Sequence, residues 1–123
     1  MIIAFDVDDT LIVPSVATGF DRDTPSYDTI AVFRWYEAMG YTMVIWSGSG
    51  RDWATTWAEK LGLLGENTRI WTKEMVLDND GKPLVDIAYD DCDVNLAKVN
   101  IKVKRINNQI SRADWNKTKN RGE

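Results

Sequence analysis

Histidine is absent from the 123 residues, and cysteine occurs once, as Cys92. The first absence excludes a Ser-His-Asp or Cys-His couple, a histidine metal site and a histidine general base. The second excludes an internal disulfide and a cysteine-rich zinc site, and a lone thiol is compatible with a reducing compartment. Long apolar runs are missing as well. Met1–Phe5 is interrupted at Asp6, too short for a signal-peptide core and far short of the roughly 20 residues of a membrane span. The expectation is a soluble, cytoplasmic protein with no membrane partner. Any catalysis is left to Asp, Glu, Lys, Arg, Ser, Thr or Tyr.

What is present is ordinary in amount and uneven in placement. Apolar residues at 44% and charged residues at 28% match a globular chain, and a chain of this length buries a core of its own. One catalytic-sized domain is expected over residues 1–116, with a polar, frayed tail at 117–123. The net charge of −4 hides a segregation. Residues 98–123 carry eight bases and two acids, whereas residues 1–97 carry seven bases and seventeen acids. A basic segment on an acidic body suits a polyanion, which makes nucleic acid a candidate partner; the plainer reading is a solvated edge and tail.

Strand and helix signals alternate along the chain. Ile2–Val7 reads as a buried parallel strand ending in acids. Residues 11–24 read as a loop or small hairpin. Thr24-Pro25 reads as an N-cap followed by proline at the first helical position. That helix runs to Met39 and stops at Gly40, with Ile30, Phe33, Ala38 and either Trp35 or the Arg34 stem facing inward. Tyr41–Trp46 is a second buried strand, and a helix over Arg51–Leu61 aligns Trp53, Trp57 and Leu61. A weak strand is expected at Arg69–Thr72, a turn at Asp80-Gly81 and a strand at Leu84–Tyr89. A short helix is expected at Val94–Lys98. An edge strand is expected at Asn100–Ile106, its lysines discouraging further pairing. The sum is an α/β fold: a three-layer, doubly wound, mainly parallel sheet, whose ligands bind beyond the carboxyl ends of the strands.

Three apolar runs end in chemistry. The first ends in Asp6-Val7-Asp8-Asp9-Thr10, the second in Ser47-Gly48-Ser49-Gly50-Arg51, and the Leu84–Tyr89 run in Asp90-Asp91. In a parallel sheet these ends share one edge, so several carboxylates crowd together. Two unit charges 4 Å apart repel by about 4 kcal/mol at an effective dielectric near 20. Such a cluster calls for a counter-charge, and oxygen donors without histidine or cysteine point to Mg²⁺.

These residues carry a resemblance to the haloacid dehalogenase superfamily. Asp6-Val7-Asp8-Asp9-Thr10 resembles its first motif, Asp-x-Asp-x-Thr after an apolar strand. Ser47 resembles the second motif, a lysine the third, and Asp90-Asp91 the fourth. Two lysines compete for the third motif, Lys82 and Lys73; Lys82 is preferred because it precedes Pro83 and the strand leading to Asp90. The resemblance implies a Rossmann-like fold and a Mg²⁺-dependent phosphatase. Asp6 is then the nucleophile and Asp8 the general acid and base. The same likeness makes Asp6, Asp8 (through its backbone carbonyl), Asp90 and Asp91 the metal site. Thr10, Ser47, Gly48, Arg51 and Lys82 become the phosphate contacts.

Only 36 residues separate Thr10 from Ser47, and 34 separate Ser47 from Lys82. Neither gap holds a cap domain, so an open site is expected, suited to a large substrate such as a nucleic-acid phosphate end or to a small phosphate ester. Ser47–Asp52 also looks like the Ser-Gly-Arg segment of polynucleotide 3′-phosphatase domains. Two other classes share the fold signals: a receiver-like phosphoacceptor domain, whose acids fall in a different strand order, and a non-catalytic Mg²⁺-binding module.

Overall fold

A computed structural model describes residues 1–15 and 23–104. The tail at 117–123, most of the basic segment and the end of the expected edge strand lie outside the described residues.

Five strands form one parallel sheet. They are β1 (Ile2–Asp6), β4 (Thr42–Trp46), β5 (Thr68–Ile70), β6 (Val85–Asp90) and β7 (Ala97–Lys102), in the order β5-β4-β1-β6-β7. A two-residue ribbon, β2 (Ile12–Val13) with β3 (Thr24–Pro25), runs antiparallel beside it. Two helices, α1 (Tyr27–Ala38) and α2 (Arg51–Lys60), are interleaved with the strands, and a 3₁₀ turn covers Lys73–Val76. The fold is thus a Rossmann-like α/β sheet, and the described residues include no cap domain. Among the described residues no helix is long and apolar enough to cross a membrane.

β1 is central because it is apolar on both faces. Ile3, Ala4 and Phe5 are fully buried, as expected for a strand covered from both sides. On one face α1 and α2 pack against Ile3, Phe5, Met43 and Ile45 through Phe33, Ala54, Trp57 and Ala58. Phe5 meets Phe33 edge-on at 5.3 Å and stacks on Tyr89 at 4.7 Å. On the other face Ala4, Val44, Trp46 and Ala88 pack with Val76 from the 3₁₀ turn, Val85 and Ala97. The chain moves outward from β1 to β4 and β5, then crosses back to β6 on the far side of β1. Such a reversal opens a crevice at the carboxyl ends of the strands.

Register decides which residues meet there. Asp6 pairs with Trp46, and Phe5 pairs with Tyr89. Asp6, Trp46 and Asp90 therefore end adjacent strands at one level, with Ser47 one step further out.

Several boundaries differ from the sequence reading. Thr24-Pro25 does not cap the helix; it pairs with Ile12–Val13, and Ser26 takes the N-cap position. The ribbon wins because the Ser26 N–H donates to the Leu11 carbonyl at 2.8 Å, fixing the chain in extended form before the helix begins. Trp35 does not face inward and is 60% exposed; Tyr36, one position on, packs against Phe5 instead. The helix expected at Val94–Lys98 is absent. The Asn100 side chain accepts the Leu96 and Ala97 N–H groups and donates to the Ala97 carbonyl, holding that stretch extended so that Ala97 starts β7 beside Val85. A five-residue helix with one turn of hydrogen bonds does not compete with a six-residue strand pairing. β7 is an edge strand, as expected, and its Lys98 and Lys102 pair with Asp86 and Asp93.

Candidate functional site

The site begins with the turn that follows β1. The Val7 carbonyl accepts N–H groups from Thr10, Leu11 and Ile12, and Asp9 takes a left-handed φ of 64°. This single tight turn lifts Asp8 off the sheet while Asp6 stays in it. Thr10 is buried, and its hydroxyl has no hydrogen-bond partner among the described residues.

Asp6 is 5% exposed and Asp90 is fully buried. Each oxygen of Asp90 is held. Oδ1 accepts the Cys92 N–H at 2.9 Å. Oδ2 accepts the Trp46 indole N–H at 3.1 Å and faces the Lys73 ammonium at 3.0 Å. The same ammonium lies 5.9 Å from the centroid of the Trp46 ring. Asp91, also buried, hydrogen-bonds to Asp6. Lys73 thus acts on two of three clustered carboxyl groups, Asp90 directly and Asp6 by its charge.

The electrostatics follow from that count. Burial, then the charge of Asp90 and the hydrogen bond to Asp91, push the Asp6 carboxyl well above the usual carboxylate range; Lys73 opposes them without prevailing. For Lys73, burial works against the charged form, but Asp6 and Asp90 outweigh it and raise its pKa. The Cys92 thiol is pushed up by burial and by Asp91 and Asp90, and so stays protonated.

The second strand end delivers Ser47. It is largely buried, and its Oγ accepts the Ser49 N–H at 3.0 Å. Gly50 caps α2 with a φ of 102°, a conformation that a side chain would strain. A Cβ at Gly48 would meet nothing within 4 Å, which leaves open space above the loop. Arg51, the first residue of α2, is exposed. Asp8 is drawn toward the same helix, where the Trp53 indole N–H donates to its Oδ2 at 3.1 Å.

Lys82 does not join this group. It sits exposed in the Asp78–Lys82 turn, its N–H donating to the Asp78 carboxylate at 2.9 Å. That turn precedes β6, whereas Asp90 ends β6; with a rise of about 3.3 Å per residue, the strand alone separates them by roughly 16 Å. Lys73 follows β5 and therefore lies at the carboxyl edge. The preference for Lys82 is corrected to Lys73 on topology: a lysine leading into a strand belongs to the opposite edge from the acids that end it. That rule was available in the sequence. Trp46 and Trp53 gave no such signal, because a tryptophan at a strand end or on a helix face reads as core.

Oxygen and sulfur donors cluster at this edge. The carboxylate oxygens of Asp90 and Asp91 and the sulfur of Cys92 lie within 4.8 Å of one another, and Asp6 touches Asp91. The protonated thiol is a weak competitor, so oxygen dominates, as Mg²⁺ prefers. Positive charge placed here would oppose the burial and the Asp90 charge that raise the Asp6 pKa.

No protein-family model, curated protein or solved structure matches the chain. The fold and the site rest on the chain's own residues: a Rossmann-like, all-parallel sheet with Asp6, Ser47, Lys73, Asp90 and Asp91 gathered at its carboxyl edge.

Proposed function

We propose that this protein is a Mg²⁺-dependent phosphatase that works through an aspartyl-phosphate on Asp6. The observation that carries the reading is the gathering of Asp6, Asp90 and Asp91 at the sheet edge, with the Lys73 cation acting on Asp90 and Asp6. A purely structural sheet edge gains nothing from three clustered acids, one of them with its pKa pushed well up by burial and by its neighbours.

In this reading an Asp6 oxygen attacks phosphorus and the ester oxygen leaves, taking a proton from Asp8. Asp8 then takes a proton from water as the water attacks the phosphorus of the aspartyl-phosphate. Phosphate is released and the Asp6 carboxylate is restored. Mg²⁺ held by Asp6, Asp90, Asp91 and the Asp8 carbonyl would supply charge neutralisation for the phosphoryl oxygens. Ser47 and the N–H groups of the Gly48–Gly50 loop contact those oxygens at the start of α2. Lys73 holds Asp90 and, across it, the position of Asp6. Thr10 offers a buried hydroxyl beside the nucleophile's turn.

The substrate follows from the missing cap. An open site does not exclude water around a small metabolite by itself, so a large substrate is favoured: a 3′-phosphate end of nucleic acid, ahead of a small phosphate ester. The basic segment past Lys104 would supply backbone contacts in that case. The test is turnover of an aryl phosphate and of 3′- and 5′-phosphorylated oligonucleotides, with Mg²⁺ and with chelator. Mg²⁺-dependent phosphate release is expected, and Asp6→Asn should abolish it. Absence of turnover on all of these substrates overturns the proposal.

A further inference from the structure

Asp8 does not stand alone at the end of its turn. Its Oδ2 accepts the indole N–H of Trp53 at 3.1 Å, across 45 residues of sequence. Trp53 lies in the first turn of α2 and packs edge-on against Trp57, with ring centroids 6.2 Å apart and planes inclined at 71°. Trp57 is set into the core beneath both helices, and Trp53 packs against that same core. The donor is therefore anchored on the scaffold, through Trp57 and the core.

The two indoles make a contrast. The Trp57 N–H is buried with no hydrogen-bond partner among the described residues, so its ring is present for apolar contact. A phenyl ring would fill the Trp53 position against Trp57 as well. What tryptophan adds there is one N–H, and that N–H is aimed at the carboxylate. An indole is a donor only. It can orient a carboxyl group without accepting its proton, and so does not compete with an ester oxygen for that proton.

We infer that Trp53 is a positioning residue for Asp8, holding Oδ2 so that the other oxygen carries the proton delivered to the departing ester oxygen. This rests on the phosphatase reading above. A group that holds the acid matters in proportion to how much the leaving oxygen needs a proton. An alkyl oxide needs one, whereas 4-nitrophenoxide departs almost unaided. The kcat/KM ratio reports the first chemical step alone, in which the ester oxygen leaves, so it isolates this role from the later attack of water.

The experiment compares wild type with Trp53→Phe on an alkyl phosphate and on 4-nitrophenyl phosphate, both with Mg²⁺. The variant should lose about tenfold or more in kcat/KM on the alkyl ester, a part of the full contribution of a general acid, and stay within about twofold on the nitrophenyl ester. Equal losses on both esters, or no loss, in the presence of an active wild type overturn the positioning role and leave the phosphatase reading standing. A wild type that turns over neither ester overturns the phosphatase reading and this inference with it. Independently of turnover, Asp8→Asn should move the Trp53 indole ¹H–¹⁵N signal while the Trp57 signal holds; a stationary Trp53 signal overturns the contact itself.

Discussion

Lys73 and Lys82 are chemically identical and nine positions apart, yet the sheet sends them to opposite edges. Lys73 sits 3.0 Å from a fully buried carboxylate, with its side chain 26% exposed. Removing it leaves Asp90 and Asp6 without their cation. Lys73→Met should cut turnover by about a hundredfold, the scale of a group that stabilises charge at the reacting centre. It should also destabilise the fold by up to about 3 kcal/mol, less than a fully buried pair because Lys73 is partly in water. Lys82→Met should leave both unchanged. Parallel kinetics and urea unfolding of the two variants check this, and the reverse ranking would return the motif lysine to Lys82. At this scale the acids were legible because each ends an apolar run, and Ser47 was legible for the same reason. The lysine was not read correctly, since a single cation has no pattern of its own and its edge follows only when the expected strands on either side of it are given a direction. The indole donors were hidden by chemistry: tryptophan announces apolar area first and its N–H last.

At the scale of the element, hydrogen bonds from one side chain decided what periodicity left open. Asn100 accepts two N–H groups and donates to a carbonyl at the entry to β7. Without it Leu96 and Ala97 lose their acceptor in a part-buried position. Asn100→Ala should cost about 1–2 kcal/mol, read as a lowered urea midpoint with an unchanged slope. The exposed pairs Lys98–Asp86 and Lys102–Asp93 flank the same strand, and exposed pairs of this kind contribute about 0–1 kcal/mol each. A cost for Asn100→Ala no larger than that would show that strand pairing alone holds β7. The long elements were legible because their apolar runs are bounded by glycine or by acids: β1, β4, β6, α1 and α2 all fall within a few residues of expectation. The stretch at 94–98 was not, because its fate depends on a partner strand and on a side chain that follows it. The Thr24-Pro25 pair failed for a similar reason. Its local signature fits a helix start, but Ile12 and Val13 offered it a strand to pair with.

For the whole molecule the decisive quantity is the concentration of acid at one point. Burial and the Asp90 charge raise the pKa of Asp6 in the fold well above the ordinary value of 3.8 that it keeps when unfolded. Between those two values the folded chain binds a proton that the unfolded chain has lost. Stability without metal therefore falls as pH rises through that window and is fully present below it. In chelator, Asp6→Asn should be more stable than wild type at neutral pH, the difference vanishing in acid, and Mg²⁺ should close the gap by stabilising wild type. Denaturant melts across pH, with and without Mg²⁺, measure it. An Asp6→Asn variant less stable than wild type in chelator would mean that Asp6 is ionised and well solvated by its neighbours. A net charge of −4 conceals this local excess, whereas the strand ends reveal it.

The central strand also has a history in time. β1 is made first, yet Ile3 pairs with Ile87, 84 residues later. At synthesis rates of roughly 5–20 residues per second, that interval is on the order of 4–17 s. Through it the most apolar strand of the sheet waits on the ribosome with one edge bare, open to chaperones or to another nascent chain. Asp6 waits with it, because Asp90 and Asp91 emerge only at the end. A truncated translation product that stops before β6 therefore carries Asp6 and Lys73 without the Asp90–Asp91 edge, and under the proposed function it should show no turnover.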